Sequence, residues 1–519
     1  MRTAWLRNAV SRPALITGLV ALALTLAFII FLSLIQFKTD DIAGVDGYYH
    51  IRFASIMRSQ GLKPDFPWLP LTILNPREFY DHHFLYHVGL IPFTYGDIHM
   101  GAKWSAVVFA TLAFLTIWWL LKSQCVPHSA LWSLGLLAIS EGFIYRMSMV
   151  RAQSLSLAVI AIGLHWMLTR KYSRLIPLAF VYVWLYDAFP GLLILSVIYV
   201  GALWMIERRL DLRPILYSGL GIALGMIVNP YFPDNIIFVF RHLLPKITAT
   251  TAVDVGSEWY PYQTSQLMEN SPLVLVAFFS GMVALGLQDR RMDTRTATSL
   301  FIALLFGVML FQSRRFIEYF PPFALIFAAL AWSPLLGIES PRPGPMGGDP
   351  NPHQILFNIP RSISTLQLLK PAVLIVILIP GIFFNFRASQ ISMNASKPYT
   401  LFAGASAWLK ENTPEGSRVF QTDWDDFPRL FYYNIHNTYL IGLDPTYMQI
   451  YNPELFNLWV EVTRGKVETP SGVIHDRFGA SYVVTDLNHT SFINQAKADP
   501  GMAEIYRDRD AAVFRLNSR

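Results

Sequence analysis

Several short stretches of this chain carry the residue types that move protons or hold phosphates, and most of them lie against apolar runs. Val45-Asp46-Gly47-Tyr48-Tyr49-His50, continued by Arg52, opens a polar segment running from Asp40 to Lys103. A carboxylate set among aromatics beside a membrane serves as a general base or as a ligand to a divalent metal. The plain alternative is an interfacial aromatic belt with a helix-capping Asp. The same segment holds Tyr80-Asp81-His82-His83 and His87, a set suited to a divalent metal or to hydrogen bonds with phosphate or sugar. Adjacent His side chains diverge on a helix or strand, so one ion can take all of them only on irregular backbone.

Cationic candidates follow. Tyr145-Arg146 and Arg151-Ala152-Gln153 fall where one apolar run ends and the next begins. A guanidinium there is costly unless paired, and a lipid-linked phosphate is a natural bidentate partner, set against a loop arginine that snorkels. Arg314-Arg315-Phe316-Ile317-Glu318-Tyr319 places two arginines in a connection where topology disfavours them, which points to an anion site. Asp254 and Ser257-Glu258-Trp259-Tyr260-Pro261 offer an acid to orient an acceptor and rings for sugar stacking, or simply solvated loop acids. Thr422-Asp423-Trp424-Asp425-Asp426-Phe427 and Gly442-Leu443-Asp444-Pro445-Thr446-Tyr447-Met448 read as turn chemistry or as the wall of an acceptor groove. Phosphate-binding Gly-rich loops, Cys-x-x-Cys pairs and a Gly-x-Ser-x-Gly elbow are absent from the sequence, so nucleotide hydrolysis and serine-esterase chemistry lack support.

The elements that must position these groups are mostly apolar. Of 519 residues 53% are hydrophobic and only 15% charged, with mean hydropathy +0.38, which puts most of the chain in a bilayer. About eleven apolar runs are readable, at 13–37, 104–121, 129–143, 154–168, 175–186, 191–205, 214–228, 272–287, 298–311, 316–335 and 371–384, several of them shorter than the ~20 residues of an ordinary span. The first, preceded by Arg2, Arg7 and Arg12, reads as an uncleaved start-transfer helix. Basic residues cluster at Lys122, Arg170-Lys171-Arg174, Arg208-Arg209-Arg213, Arg290-Arg291-Arg295 and between Arg342 and Lys370, in alternate connections. This alternation predicts a cytoplasmic N-terminus and places Asp46, Asp81-His82-His83, Arg146, Arg151, Glu258, Arg314-Arg315 and the C-terminal part together on the extracytoplasmic side. The net charge of +6 therefore reads as topology, not as a nucleic-acid surface. Cys125 is the sole cysteine, leaving no intrachain disulfide. Ser340 to His353, rich in Pro and Gly, reads as a cytoplasmic linker. Beyond it, a helix at Ala403–Leu409 and strands at Arg418–Gln421, Asn437–Ile441, Ser481–Thr485 and Ala511–Leu516 predict a small α/β domain. The expected division is a membrane domain over 1–387, with external loops 38–103 and 229–271, and an external domain over 388–519.

This layout resembles the polytopic glycosyltransferases of the GT-C fold, most of all the branch around the catalytic subunit of oligosaccharyltransferase. Val45-Asp46-Gly47-Tyr48-Tyr49-His50-Ile51-Arg52 resembles that family's first-loop Asp element, Gly256-Ser257-Glu258 its external-loop Glu element, and Asp423-Trp424-Asp425-Asp426-Phe427, loosely, its Trp-Asp acceptor element. Where the family carries a second acidic pair, this chain reads Met149-Val150-Arg151-Ala152-Gln153-Ser154-Leu155-Ser156. The resemblance implies an integral membrane transferase that moves a sugar or oligosaccharide from a polyprenyl phosphate or diphosphate to a glycan, lipid or protein acceptor outside the cytoplasm. In it Asp46 and Glu258 are the catalytic acids, Asp46 is also the ligand for a divalent metal (Mg or Mn), and Arg151, Arg314 and Arg315 hold the donor phosphate. Tyr48, Tyr49, His50, Asp81, His82, His83, Trp259, Trp424 and Asp425 line the acceptor side. Two other readings stand beside it: a flippase or transporter of lipid-linked substrates, and a non-catalytic envelope assembly protein.

Overall fold

The computed structural model describes residues 12–243, 256–337 and 365–517. Asp254 and the Pro-rich linker fall outside the described residues, as do Arg2 and Arg7. The eleven apolar runs are helical, from Arg12–Gln36 through Ile98–Ser123 to Thr365–Asn394, although 129–143 is divided between helices Ser129–Ala138 and Glu141–Met147. Four helical stretches are long and apolar enough to cross a bilayer: Ala14–Gln36, Ile98–Ser123, Pro190–Glu207 and Pro371–Asn394. A fifth candidate is the pair Thr264–Asn270 and Pro272–Gly286, bent by 85° at Ser271-Pro272, where proline cannot continue the preceding helix.

The basic connections meet at one end of this bundle. Arg170 pairs with Glu207 at 2.6 Å, Glu207 accepts from Thr294 at 2.8 Å, and Arg295 donates to the carbonyl of Gln124 at 2.9 Å. At the opposite end the segment between the first two long helices, expected to be an open loop, is largely helical. It contains Asp46–Gln60, nine of whose residues are buried, and Phe84–Leu90. Its aromatic residues pack into a cluster with the C-terminal part: Tyr49, Phe53, Phe66, Trp68 and Phe79 meet Phe427, Phe431 and Tyr439.

Helix Thr365–Asn394 runs across position 388, and the sheet-bearing part begins with helix Ala403–Asn412. Five strands follow: β1 (Arg418–Gln421), β2 (Thr438–Tyr439), β3 (Tyr482–Asp486), β4 (Met502–Arg507) and β5 (Ala511–Leu516). Their spatial order is β2-β1-β3-β5-β4, with β2, β1 and β3 parallel and the β3-β5 and β5-β4 pairs antiparallel. β1 and β3 are buried on both faces, Val419 and Val484 in one apolar cluster and Phe420 and Val483 in another. The C-terminal end of β1 points Trp424 and Asp425 toward the membrane part.

Candidate functional site

Asp46 stands in the first turn of helix Asp46–Gln60, where the helix N-terminus favours an anion. Its approach to the rest of the site depends on Gly47. A Cβ on Gly47 would lie 2.8 Å from Ile42 Cγ2 and 2.9 Å from Val150 Cβ. Only a hydrogen at this position lets the helix start close on Val150, which brings Asp46 onto the neighbouring Arg151. Arg151 sits on the irregular link between helices Glu141–Met147 and Gln153–Leu168, and its Nη2 is 2.6 Å from Asp46 Oδ2.

Arg151 also reaches the distant loop acid. Its Nη1 donates to Glu258 Oε2 at 2.9 Å, and Arg146 Nη1 donates to the same oxygen at 2.7 Å. Arg146 Nε donates to Glu318 at 2.6 Å, and Arg315 Nη1 is 3.8 Å from Glu258 Oε1. Three arginines and three carboxylates thus form one chain, Asp46, Arg151, Glu258, Arg146, Glu318, with Arg315 at its side. The Glu258 loop is stitched down by backbone: Ser313 Oγ donates to the Glu258 carbonyl at 2.9 Å and the Arg314 amide to the Tyr260 carbonyl at 3.0 Å. Burial pushes the Glu258 carboxyl up, but Arg151, Arg146 and Arg315 outweigh it and hold the group well below the usual carboxylate range. For Asp46 the balance is reversed: burial, with Glu258 nearby, raises its carboxyl against the pull of Arg151.

Asp46, Arg146, Arg151, Glu258 and Arg315 wall a cavity of about 610 Å³, with Glu318 behind them. Of the residues expected from sequence, Asp46, Tyr49, His50, His82, His83, Arg151, Glu258, Trp259, Arg314, Arg315, Trp424 and Asp425 all face it. Arg315 lies over the Trp259 ring at 4.8 Å and donates to the Tyr186 hydroxyl at 3.1 Å. Arg314 lies over Tyr262 at 5.2 Å. Two expectations need correction. Tyr48 is fully buried against Tyr432, with Arg429 over its ring at 4.8 Å, because one residue's step along a helix turns it away from the face that Asp46 and Tyr49 share with the cavity. Asp81 lies behind the wall, 2% exposed, where Oδ2 contacts His87 Nδ1 at 2.8 Å.

The metal expectation at Asp46 also needs correction. Among the described residues no group of three or more His, Cys, Asp or Glu side chains gathers as a ligand set. The carboxylate that would bind the ion is engaged by Arg151 at 2.6 Å. The residues do not fit a divalent ion, and no step below runs through one. Asp444 and Tyr447, from the run 442–448 offered as an acceptor-groove wall, do line the cavity, together with His242. Sequence reasoning did not single out His242 or Glu318. Their partners lie more than a hundred positions away, so no local pattern marks them.

A second, apolar groove of about 450 Å³ is lined by Leu131, Ala138, Ile139, Leu273, Leu325 and Leu378 among others. Ala138 and Ile139 line this groove, and Glu141 and Gly142, shortly after them in the chain, line the polar cavity.

No family model matches the chain. The archaeal oligosaccharyltransferase AglB from Archaeoglobus fulgidus, solved with an inhibitory peptide and a dolichol-phosphate, superposes with a TM-score of 0.60 at 13% identity over 92% of this chain and 71% of that one. ArnT from Cupriavidus metallidurans, bound to undecaprenyl phosphate, superposes with a TM-score of 0.57 at 15% identity over 96% of this chain and 98% of that one. The chain has the GT-C fold. By sequence it is 23% identical over 218 residues to the dolichyl-phosphooligosaccharide-protein glycotransferase 3 of Archaeoglobus fulgidus, a match over 41% of this chain that spans about a quarter (24%) of that relative.

Proposed function

We propose that this chain is an integral membrane glycosyltransferase that moves a sugar or oligosaccharide from a polyprenyl phosphate or diphosphate to an acceptor on the extracytoplasmic side. The observation that carries this reading is the polar cavity walled by Arg146, Arg151, Arg314 and Arg315, with a separate apolar groove lined by residues of the same helical part. The arginines suit the anionic head of a lipid-linked donor, and the apolar groove suits a hydrocarbon chain. The GT-C neighbours solved with dolichol-phosphate and undecaprenyl phosphate support the same ligand class.

In this reading Arg315, Arg314 and Arg151 meet the donor phosphate. Arg315 is best placed, since its contact to Glu258 is long and its guanidinium is held flat by Trp259. Asp46 receives the hydrogen bond of the acceptor and aims its nucleophilic atom at the anomeric carbon. Glu258 keeps Arg146 and Arg151 in place and borders the acceptor side, with Trp259 and Trp424 offering faces to a sugar ring. As the anomeric carbon-oxygen bond breaks, its electron pair stays on the phosphate, where the guanidinium charge stabilises it. The test is binding of undecaprenyl phosphate to the purified protein in nanodiscs, alone and against Arg315→Ala. Saturable binding weakened by that substitution supports the reading, and absence of binding to both undecaprenyl and dolichyl phosphate refutes it.

A further inference from the structure

Resting on the transferase reading, we infer that His50 is the group that takes the acceptor's proton, while His87 and Asp81 fix its tautomer and draw the resulting charge away from the arginines. The argument starts at the buried end. Asp81 Oδ1 accepts from the His83 backbone amide at 3.0 Å and Oδ2 lies 2.8 Å from His87 Nδ1. A carboxylate engaged on both oxygens only accepts, so His87 carries its proton on Nδ1. A neutral imidazole has one N–H, which leaves His87 Nε2 as an acceptor. His50 Nδ1 is 2.8 Å from that nitrogen and, with one N–H on each ring, is the donor. His50 Nε2 is then the unprotonated nitrogen of a residue that lines the cavity.

Placement agrees with this role. His50 and Asp46 are four positions apart on helix Asp46–Gln60, hence on one face a turn apart, so an acceptor held by Asp46 lies beside His50. The groups facing His50 are Tyr49 and Asp46 on its own helix, His83, Tyr86 and His87 across from it, and the charge of Arg151 with His82 farther out. Burial, His87 and Arg151 hold the His50 imidazole well below its usual range, burial does the same for His83, and burial lowers His82 against the pull of Asp187 and Asp81. His50 is therefore neutral at neutral pH, and it holds an added proton only weakly, which favours passing it on to His87.

The step balances within the chain's own groups. The acceptor atom bonds to the anomeric carbon, the bond to the donor phosphate breaks with its electrons on phosphate, and the acceptor's proton goes to His50 Nε2. The proton on His50 Nδ1 then passes to His87 Nε2. The positive charge ends on His87 against the Asp81 carboxylate instead of beside Arg151. His50 is the catalytic residue in this scheme, and His87 and Asp81 are positioning residues.

The first test is nitrogen NMR of the full-length protein in nanodiscs with ring-15N histidine, the His50 signal being assigned by its loss in His50→Gln. The expected result is His50 protonated on Nδ1 and bare on Nε2, reverting to the Nε2-protonated form in His87→Phe. Nε2 protonation of His50 in the wild type overturns the inference. The second arm measures transfer from undecaprenyl-phosphate-linked sugars: His50→Gln lowers turnover by about 10²- to 10⁴-fold with undecaprenyl phosphate binding intact, and Asp81→Asn lowers turnover, with KM little changed, and shifts the acid limb of the pH profile. Wild-type turnover in His50→Gln overturns the role of His50 and leaves the transferase reading standing. Absence of transfer by the wild type from every donor tried refutes that reading, and this role with it.

Discussion

Arg146 is the residue whose removal isolates the energetics of the site. It lies between two carboxylates, 2.7 Å from Glu258 and 2.6 Å from Glu318, and the Glu318 side chain is only 2% exposed. Arg146→Met keeps most of the volume and removes the charge, leaving Glu318 buried without a counter-ion. Breaking a buried pair in this way costs about 3–5 kcal/mol. The carboxyl has one escape, which is to take a proton. For an ordinary glutamic acid at neutral pH that costs roughly 3.7 kcal/mol, about 1.4 kcal/mol for each of the ~2.7 pH units above its usual pKa. The loss is therefore capped near ~4 kcal/mol at pH 7 and shrinks to about 1 kcal/mol at pH 5. The sign follows from linkage: in the variant the folded state binds a proton that the unfolded state does not, so lowering the pH narrows the gap to wild type. The assay is thermal and denaturant unfolding in detergent across pH 5 to 8 for wild type, Arg146→Met, Glu318→Gln and the double variant. The double variant recovers most of the loss and is insensitive to pH in this range. A loss under ~1 kcal/mol in Arg146→Met, or one that does not change with pH, refutes the claim that Arg146 is the counter-ion of a buried Glu318.

Three further outcomes are expected. Arg315→Ala weakens undecaprenyl phosphate about tenfold or more, and Arg315→Lys restores only part of it because an ammonium does not reproduce the planar fork over Trp259, as isothermal titration or scintillation proximity binding will read. The Glu258 carboxyl is depressed in the folded state, so the network's contribution is constant above its ordinary pKa of 4.5 and is lost as pH falls through the lower folded value; unfolding from pH 7 to pH 3 therefore shows a drop below about 4.5 that Glu258→Gln lacks. Gly47→Ala forces a methyl to within 3 Å of Ile42 and Val150, and transfer falls several-fold with little change in helix content by circular dichroism.

What the sequence disclosed, and what it hid, divides by range. Each apolar run marks a helix because hydropathy is a local property, and strands Arg418–Gln421 and Ala511–Leu516 were legible from compact β-branched or aromatic runs. β4, Met502–Arg507, was not: it is an edge strand carrying Glu504 and Arg507 and reads as a polar turn. The segment around Asp46 reads as a loop since Asp46–Gln60 is buried on several sides, which erases the amphipathic stripe. Charge alternation alone grouped Asp46, Arg151, Glu258 and Arg315 on one side, and the cavity has all four in its wall. The pairing of Arg151 with Asp46 and Glu258, and of His50 with His87 and Asp81, joins residues separated by 37 or more positions in most cases, and no spacing rule reaches that far. Arg151 in place of an expected acid was visible as a departure, and only the geometry gives it a use.

The most direct test of the central claim is transfer of labelled sugar from a polyprenyl-phosphate donor in proteoliposomes, wild type beside Asp46→Ala. The account predicts transfer by the wild type, and loss of transfer in a variant that remains folded and still binds undecaprenyl phosphate. Equal transfer by Asp46→Ala contradicts it.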